Sequence, residues 1–184
     1  MNKYLIFRTD RIGDFLLTAI LIKSIKRNDP NSRVSVVASK KNYDYIKTFK
    51  LVDKVFLLEN NMINKIKLFL TLKKQFFDFI IIHDEKNRSD LIAKFINYRS
   101  KIIINKTLEC THISIIKKIL TKLNFDFLDQ DLNTLEDREF HIPDLPNNII
   151  VFHFDEKWIY NEYIKEYTNI EPSELELVSF IRFL

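Results

Sequence analysis

One short segment of this chain concentrates the groups that do chemistry: Arg8-Thr9-Asp10-Arg11-Ile12-Gly13-Asp14. A carboxylate such as Asp14, held within hydrogen-bond reach of a hydroxyl, takes its proton as the oxygen attacks an electrophile. Arg8 and Arg11 can grip a phosphate or carboxylate through two parallel N–H bonds. Gly13 is the only glycine in 184 residues. Glycine is the residue that accepts positive φ or a very close backbone approach. A structural alternative stands beside each of these. Asp14 can simply complement the dipole of a helix start, and the arginines can belong to a solvated turn.

Other candidate chemistry is sparse. The four histidines, His83, His112, His141 and His153, have no spacing that makes a metal site. Cys110 is the only cysteine, so an internal disulfide or a cysteine cluster is excluded, in keeping with a reducing compartment. A single glycine cannot build a glycine-rich phosphate loop. Lys86, Arg88 and Ser89 form a second basic group. With Ser89 as a helix N-cap, that helix start could hold an anion.

The elements that must position these residues follow from the apolar pattern. Lys3–Phe7, Arg33–Ala38, Lys54–Leu58, Phe79–Ile82 and Lys101–Ile104 read as short, continuously apolar strands. Between them, Asp14–Asn28, Asn42–Phe49, Met62–Phe76, Ser89–Tyr98 and Thr111–Leu123 read as helices. Alternation of this kind implies α/β architecture, a Rossmann-like parallel sheet with helices on both faces. The Arg8–Asp14 segment falls between the first strand and the first helix, where such sheets place ligands.

After Asn124 the texture changes. Residues 126–147 are acidic and polar, with Pro143 and Pro146, and read as a linker. Residues 148–184 begin with another apolar strand and two helices, an incomplete second α/β unit that looks cut short. The expected domains are therefore 1–125, the linker 126–147 and the partial unit 148–184. Residues 1–125 carry 25 Lys and Arg against 11 Asp and Glu, whereas residues 126–184 carry 4 against 14. A basic first unit favours phosphates, anionic lipid or nucleic acid. The basic residues are not interleaved with aromatics in any RNA-binding pattern, so no nucleic-acid partner is expected. Two Lys-rich helices, Met62–Phe76 and Thr111–Leu123, read as amphipathic and suit an anionic membrane surface, the alternative being a solvated face. The apolar N-terminal stretch is too short for a signal peptide, and no apolar run is long enough to span a bilayer.

The stretch Lys3 to Pro30 with the following RVSVVAS strand resembles the start of glycosyltransferase family 9, the heptosyltransferases and related lipopolysaccharide core enzymes. Phe77–Asp84 with Lys86-Asn87-Arg88-Ser89 is similar to that family's fourth strand and loop. Val151-Phe152-His153 with Lys157-Trp158 is similar to the opening of its second domain. The resemblance implies a GT-B fold, two Rossmann-like domains with the active site between them. It implies an inverting transfer of a sugar from a nucleotide-sugar donor to a lipopolysaccharide-core or related surface-glycan acceptor.

On that resemblance Asp14 is the catalytic base. Arg8, Thr9, Asp10, Arg11, Gly13, Arg88 and Ser89 surround the acceptor, and Lys157 touches the donor phosphates. No metal or other cofactor is implied; Asp129-Gln130-Asp131 matches a metal-binding Asp-x-Asp but lies in the acidic stretch rather than after a strand. The expected location is cytoplasmic, peripheral on the inner membrane. Glu85 and Lys86 stand where the family carries a glycine, and the rest of the donor domain is absent. The isolated chain is therefore expected to be an inactive portion of an enzyme. The rival reading is a non-catalytic module that binds an anionic glycan or a membrane surface.

Overall fold

The computed structural model describes residues 1–104, 111–134, 137 and 178–179. The chain divides into two compact units, Met1–His141 and Ile142–Leu184. In the second, Val178 and Ser179 are helical and exposed. The expected strand at 148–152, the helix near 158–167, Lys157 and Cys110 lie outside the described residues, as do His141 and His153.

In the first unit the order is β1 (Lys3–Arg8), α1 (Ile12–Asn28), β2 (Arg33–Ser39), α2 (Tyr43–Lys47), β3 (Lys54–Leu58), α3 (Met62–Lys73), β4 (Phe76–Ile82), α4 (Asn87–Ala93), β5 (Asn97–Ile103) and α5 (His112–Lys122). The five strands form one sheet in the order β3-β2-β1-β4-β5, and every pairing is parallel. Leu5 of β1 lies level with Ser35 on one side and Ile80 on the other.

Strand side chains alternate between two apolar layers, as the period of two requires. Tyr4, Ile6, Val36 and Ile81 pack with Phe15, Ile22 and Ile25 of α1, Ile46 of α2 and Ile116 of α5. Leu5, Phe7, Val37 and Ile80 pack on the opposite face with Leu68 and Leu72 of α3 and Ala93 of α4. Coverage on both faces is why the strands read as unbroken apolar runs.

Several element boundaries differ from the sequence reading. Helix α3 ends at Lys73, and β4 starts at Phe76 rather than Phe79. Helix α4 ends at Ala93, so Tyr98 lies in β5. In both places aromatic and apolar residues suit either state, and pairing across the sheet decides. Phe77, for example, pairs with Tyr98 across β4 and β5.

The acidic stretch begins by packing on α1. A 3-10 turn, Asp129–Leu132, buries Asp131 beneath Arg27 and Ser24. Ser24 Oγ donates to Asp131 Oδ2 at 2.7 Å, and Arg27 Nε donates to Asp131 Oδ1 at 3.0 Å. Burial raises the Asp131 carboxyl's pKa, but these bonds outweigh it and hold the group below its ordinary value. Asp131 is therefore committed to an ion pair. Among the described residues no cluster suited to a metal ion occurs.

Candidate functional site

Strand order reverses at β1: β2 and β3 extend the sheet to one side, β4 and β5 to the other. Such a reversal splays the connections at the C-terminal ends of the strands and leaves a crevice. Here the crevice is an open cavity of about 880 Å³. Its walls come from the β1–α1 turn, Lys86 and Arg88 beyond β4, Ser39 at the end of β2 with Lys40 and Lys41 after it, and Glu59, Asn60 and Asn61 after β3.

The turn between β1 and α1 is built from its own residues. Arg11 is the N-cap, with extended backbone at φ −91°. Its N–H donates to Asp14 Oδ2 at 3.2 Å, so Asp14 caps its own helix from the third position. Asp14 is nonetheless 43% exposed and borders the cavity. Its other oxygen, Oδ1, lies 3.9 Å from Arg8 Nη2. One geometry thus makes Asp14 a cap of α1 and also sets it on the cavity wall.

Arg8 is placed differently from the sequence expectation. It is only 5% exposed. Nε donates to the Asp14 main-chain carbonyl at 2.9 Å, and Nη1 donates to the His83 carbonyl and to Asp10 Oδ2. Burial pushes the guanidinium below its ordinary pKa, while Asp10, Asp14, Asp84 and Glu85 oppose that shift. Arg8 thus ties the end of β1 to the end of β4 and to the first turn of α1, an inward brace rather than a free acceptor contact. Asn42 completes the brace by donating to the Arg8 carbonyl at 2.9 Å.

Thr9 and Ser89 meet on a residue the sequence reading did not single out as functional, Asp84. Its buried Oδ2 accepts from Thr9 Oγ1 at 2.5 Å, from Ser89 Oγ at 2.7 Å and from Thr9 N–H at 3.3 Å. Ser89 is therefore not the expected N-cap. That position is Lys86, and Ser89 is buried inside α4, where its hydroxyl satisfies Asp84. Arg88 Nη2 donates to Thr9 Oγ1 at 2.8 Å from an exposed position on the cavity wall. Lys86 Nζ pairs with Asp10. This network holds the two loops flanking the strand reversal in one register.

Gly13 corrects the opening expectation. Its φ is not positive, and a Cβ built there would meet no protein atom within 4 Å. The left-handed residue at the site is instead Glu85, at φ +52°. Glu85 is one of the two residues, with Lys86, that stand in the loop where the sequence resemblance implies a glycine, and its backbone adopts a glycine-like conformation.

A second, smaller space of about 150 Å³ opens between Asp14, Glu85 and His112 of α5. His83 borders it and accepts or donates at 2.9 Å to Thr18 Oγ1 through Nδ1. Burial, with Arg8 and then His112 nearby, pushes the His83 pKa down to about 3, so the ring is neutral near pH 7.

Arg8, Thr9, Asp10, Arg11, Gly13, Asp14, Arg88 and Ser89 are thus brought together. Lys40, Lys41 and the Asn60-Asn61 pair were missed, although each lies within three residues of the end of a parallel strand, the position from which such sites are built. Five cations, Arg11, Lys40, Lys41, Lys86 and Arg88, face the cavity with three acids, Asp10, Asp14 and Glu59. That balance suits an anionic ligand.

No family model matches the sequence, and no curated protein matches it. Solved structures do match the fold. The E. coli heptosyltransferase WaaC with ADP is 14% identical at a TM-score of 0.52, over 69% of this chain and 48% of that one. The glycosyl transferase family 9 structure from Veillonella parvula is 11% identical at a TM-score of 0.56, over 92% of this chain and 51% of that one. The chain shares the Rossmann-like α/β fold of those structures and spans about half their length.

Proposed function

We propose that this chain is the acceptor-side half of an inverting glycosyltransferase. The donor is a nucleoside-diphosphate sugar, and the acceptor is an anionic glycan or glycolipid of the lipopolysaccharide-core kind. The observation that carries the reading is Asp14: a half-exposed carboxylate on the wall of a cation-rich cavity at the strand reversal. The fold likeness to family 9 glycosyltransferases supports it, and the ADP named with the E. coli neighbour suits a nucleotide-sugar donor.

On this reading an acceptor hydroxyl gives its proton to Asp14 as its oxygen bonds to the anomeric carbon. The bond from that carbon to the diphosphate breaks, and the nucleoside diphosphate leaves with the electron pair. Attack from the face opposite the leaving group inverts the anomeric centre. Arg11, Lys40, Lys41 and Arg88 hold acceptor anions, while Arg8, Asp84 and Ser89 fix the loops that carry them. Thr9, Asp10 and Gly13 line the acceptor's approach. Lys157, at the start of a second Rossmann-like domain formed from about residue 148, neutralises the leaving diphosphate, and no metal is required. The protein works in the cytoplasm against the inner membrane, without a nucleic-acid partner.

The test is turnover by the intact gene product with a panel of nucleoside-diphosphate sugars. Asp14→Asn is expected to lower kcat by about 10² to 10⁴-fold with acceptor binding kept within a few-fold. Full turnover by Asp14→Asn removes Asp14 as the base. The cation-rich lining of the cavity also fits a second reading, a non-catalytic anion-binding module. Acceptor binding without turnover by the intact product supports that one.

A further inference from the structure

We propose that the outward face of α3, continued by the end of α4, seats this protein on an anionic membrane surface. Helix α3 needs only Leu68 and Leu72 to reach the core. Its opposite side carries a second apolar stripe: Met62, Ile66 and Leu70 follow one another at four-residue spacing, with Ile63 beside them. These four are 50% exposed or more. A helix apolar on both sides is ordinarily buried on both, so the outer stripe is surface awaiting an occupant. Phe69 meets Phe95 edge-on at 6.2 Å, which extends the stripe to the end of α4, where Leu91 and Phe95 are also exposed.

Charge identifies the occupant. From Asn60 to Phe77 the chain has Lys65, Lys67, Lys73 and Lys74 and no acidic residue. Lys65 and Lys67 flank the stripe, and Lys73 and Lys74 close its C-terminal end. Apolar side chains bordered by lysines are the pattern of a helix lying in the headgroup boundary of anionic lipid. At 12 residues α3 is too short to cross a bilayer, and among the described residues no helix is long and apolar enough to do so. A second copy is disfavoured, because a two-fold contact would set the same lysines against one another. Asn61 and Asn64, at the start of α3, also line the large cavity. A docked α3 therefore puts the cavity mouth beside the lipid, within reach of a membrane-anchored acceptor. That last consequence rests on the proposed transferase reading; the docking itself does not.

The test is flotation of the full chain with vesicles, which needs no turnover. Binding is expected to vesicles of phosphatidylethanolamine with about one-third phosphatidylglycerol, a load giving useful attraction per lysine, and not to pure phosphatidylcholine. Ile66→Asn with Leu70→Asn is expected to weaken that binding at least tenfold, and so is replacing the four lysines by glutamine. Both sets change exposed side chains, and an unchanged circular-dichroism melt verifies folding. Equal partitioning to neutral and anionic vesicles, or unaltered binding by both variants, overturns the proposal. So does a wild-type dimer that the Ile66/Leu70 variant dissolves, which assigns the stripe to a second copy. Cross-links from Lys67 or Lys73 to the acidic residues of 142–184, with no vesicle binding, assign it instead to the chain's own second unit.

Discussion

Arg8 separates a brace from a ligand contact, and replacing it decides between them. Arg8→Met keeps much of the buried stem but removes every donor. The buried His83 carbonyl then loses the Arg8 donor, at about 1–3 kcal/mol for a buried group left unsatisfied, while the part-buried Asp14 carbonyl loses a second bond but keeps its place in the α1 ladder. Asp10 loses a neighbouring cation, and the partly exposed part of that interaction is worth little. Breaking a buried charged network by removing one partner typically costs about 3–5 kcal/mol, with the His83 carbonyl the largest single loss here. With a urea slope of about 1–3 kcal/mol/M for a small domain, the midpoint should fall by more than about 1 M. Arg8→Lys should recover only part of the loss, since one ammonium cannot span both carbonyls with the fork's geometry. The assay is urea unfolding of wild type and both variants at pH 7 by circular dichroism. A midpoint within error of wild type for Arg8→Met, together with weakened binding of an anionic acceptor, refutes the brace and restores Arg8 as a ligand contact.

Three further outcomes are expected. His83 is neutral when folded and binds a proton when unfolded below its ordinary value of 6.5, so stability is full above that value and is lost as pH falls toward about 3. Between pH 7 and 4.5 this amounts to on the order of 2–3 kcal/mol, and His83→Gln should flatten that part of the urea-midpoint profile; an unchanged slope refutes the assignment. At Glu85 the left-handed backbone inverts the usual ranking, so Glu85→Gly should be more stable than Glu85→Ala by about 1 kcal/mol in thermal melts; the reverse order shows the turn carries no such strain. Gly13→Ala meets no protein atom and should leave stability unchanged or raise it by up to about 1 kcal/mol. Weakened ligand binding in that variant reports a ligand passing close to the Gly13 backbone, while unchanged binding shows that no ligand uses the space.

Much of the fold was legible because a doubly covered parallel sheet writes itself into the chain as short unbroken apolar runs. Lys54–Leu58 was read to the residue, and each of the five strands was placed in the right order along the chain. The likeness to family 9 glycosyltransferases was also readable, from the Gly13-Asp14 turn and the Phe77–Ser89 segment, and the fold agrees with it. Boundaries such as Lys73/Phe76 and Ala93/Asn97 were not, because Phe and Tyr serve either element until a neighbouring strand pairs with them.

Residue types alone established a basic first unit, an α/β alternation and a carboxylate at the first strand-to-helix turn, since each depends only on local order along the chain. Which arginine faces inward, which hydroxyl meets Asp84, which apolar side of α3 the core uses, and which loops wall the cavity depend on strand order. That order brings Arg8 to His83 and Thr9 to Asp84, 75 positions apart in each case, and distances of that kind exist only once the sheet has assembled.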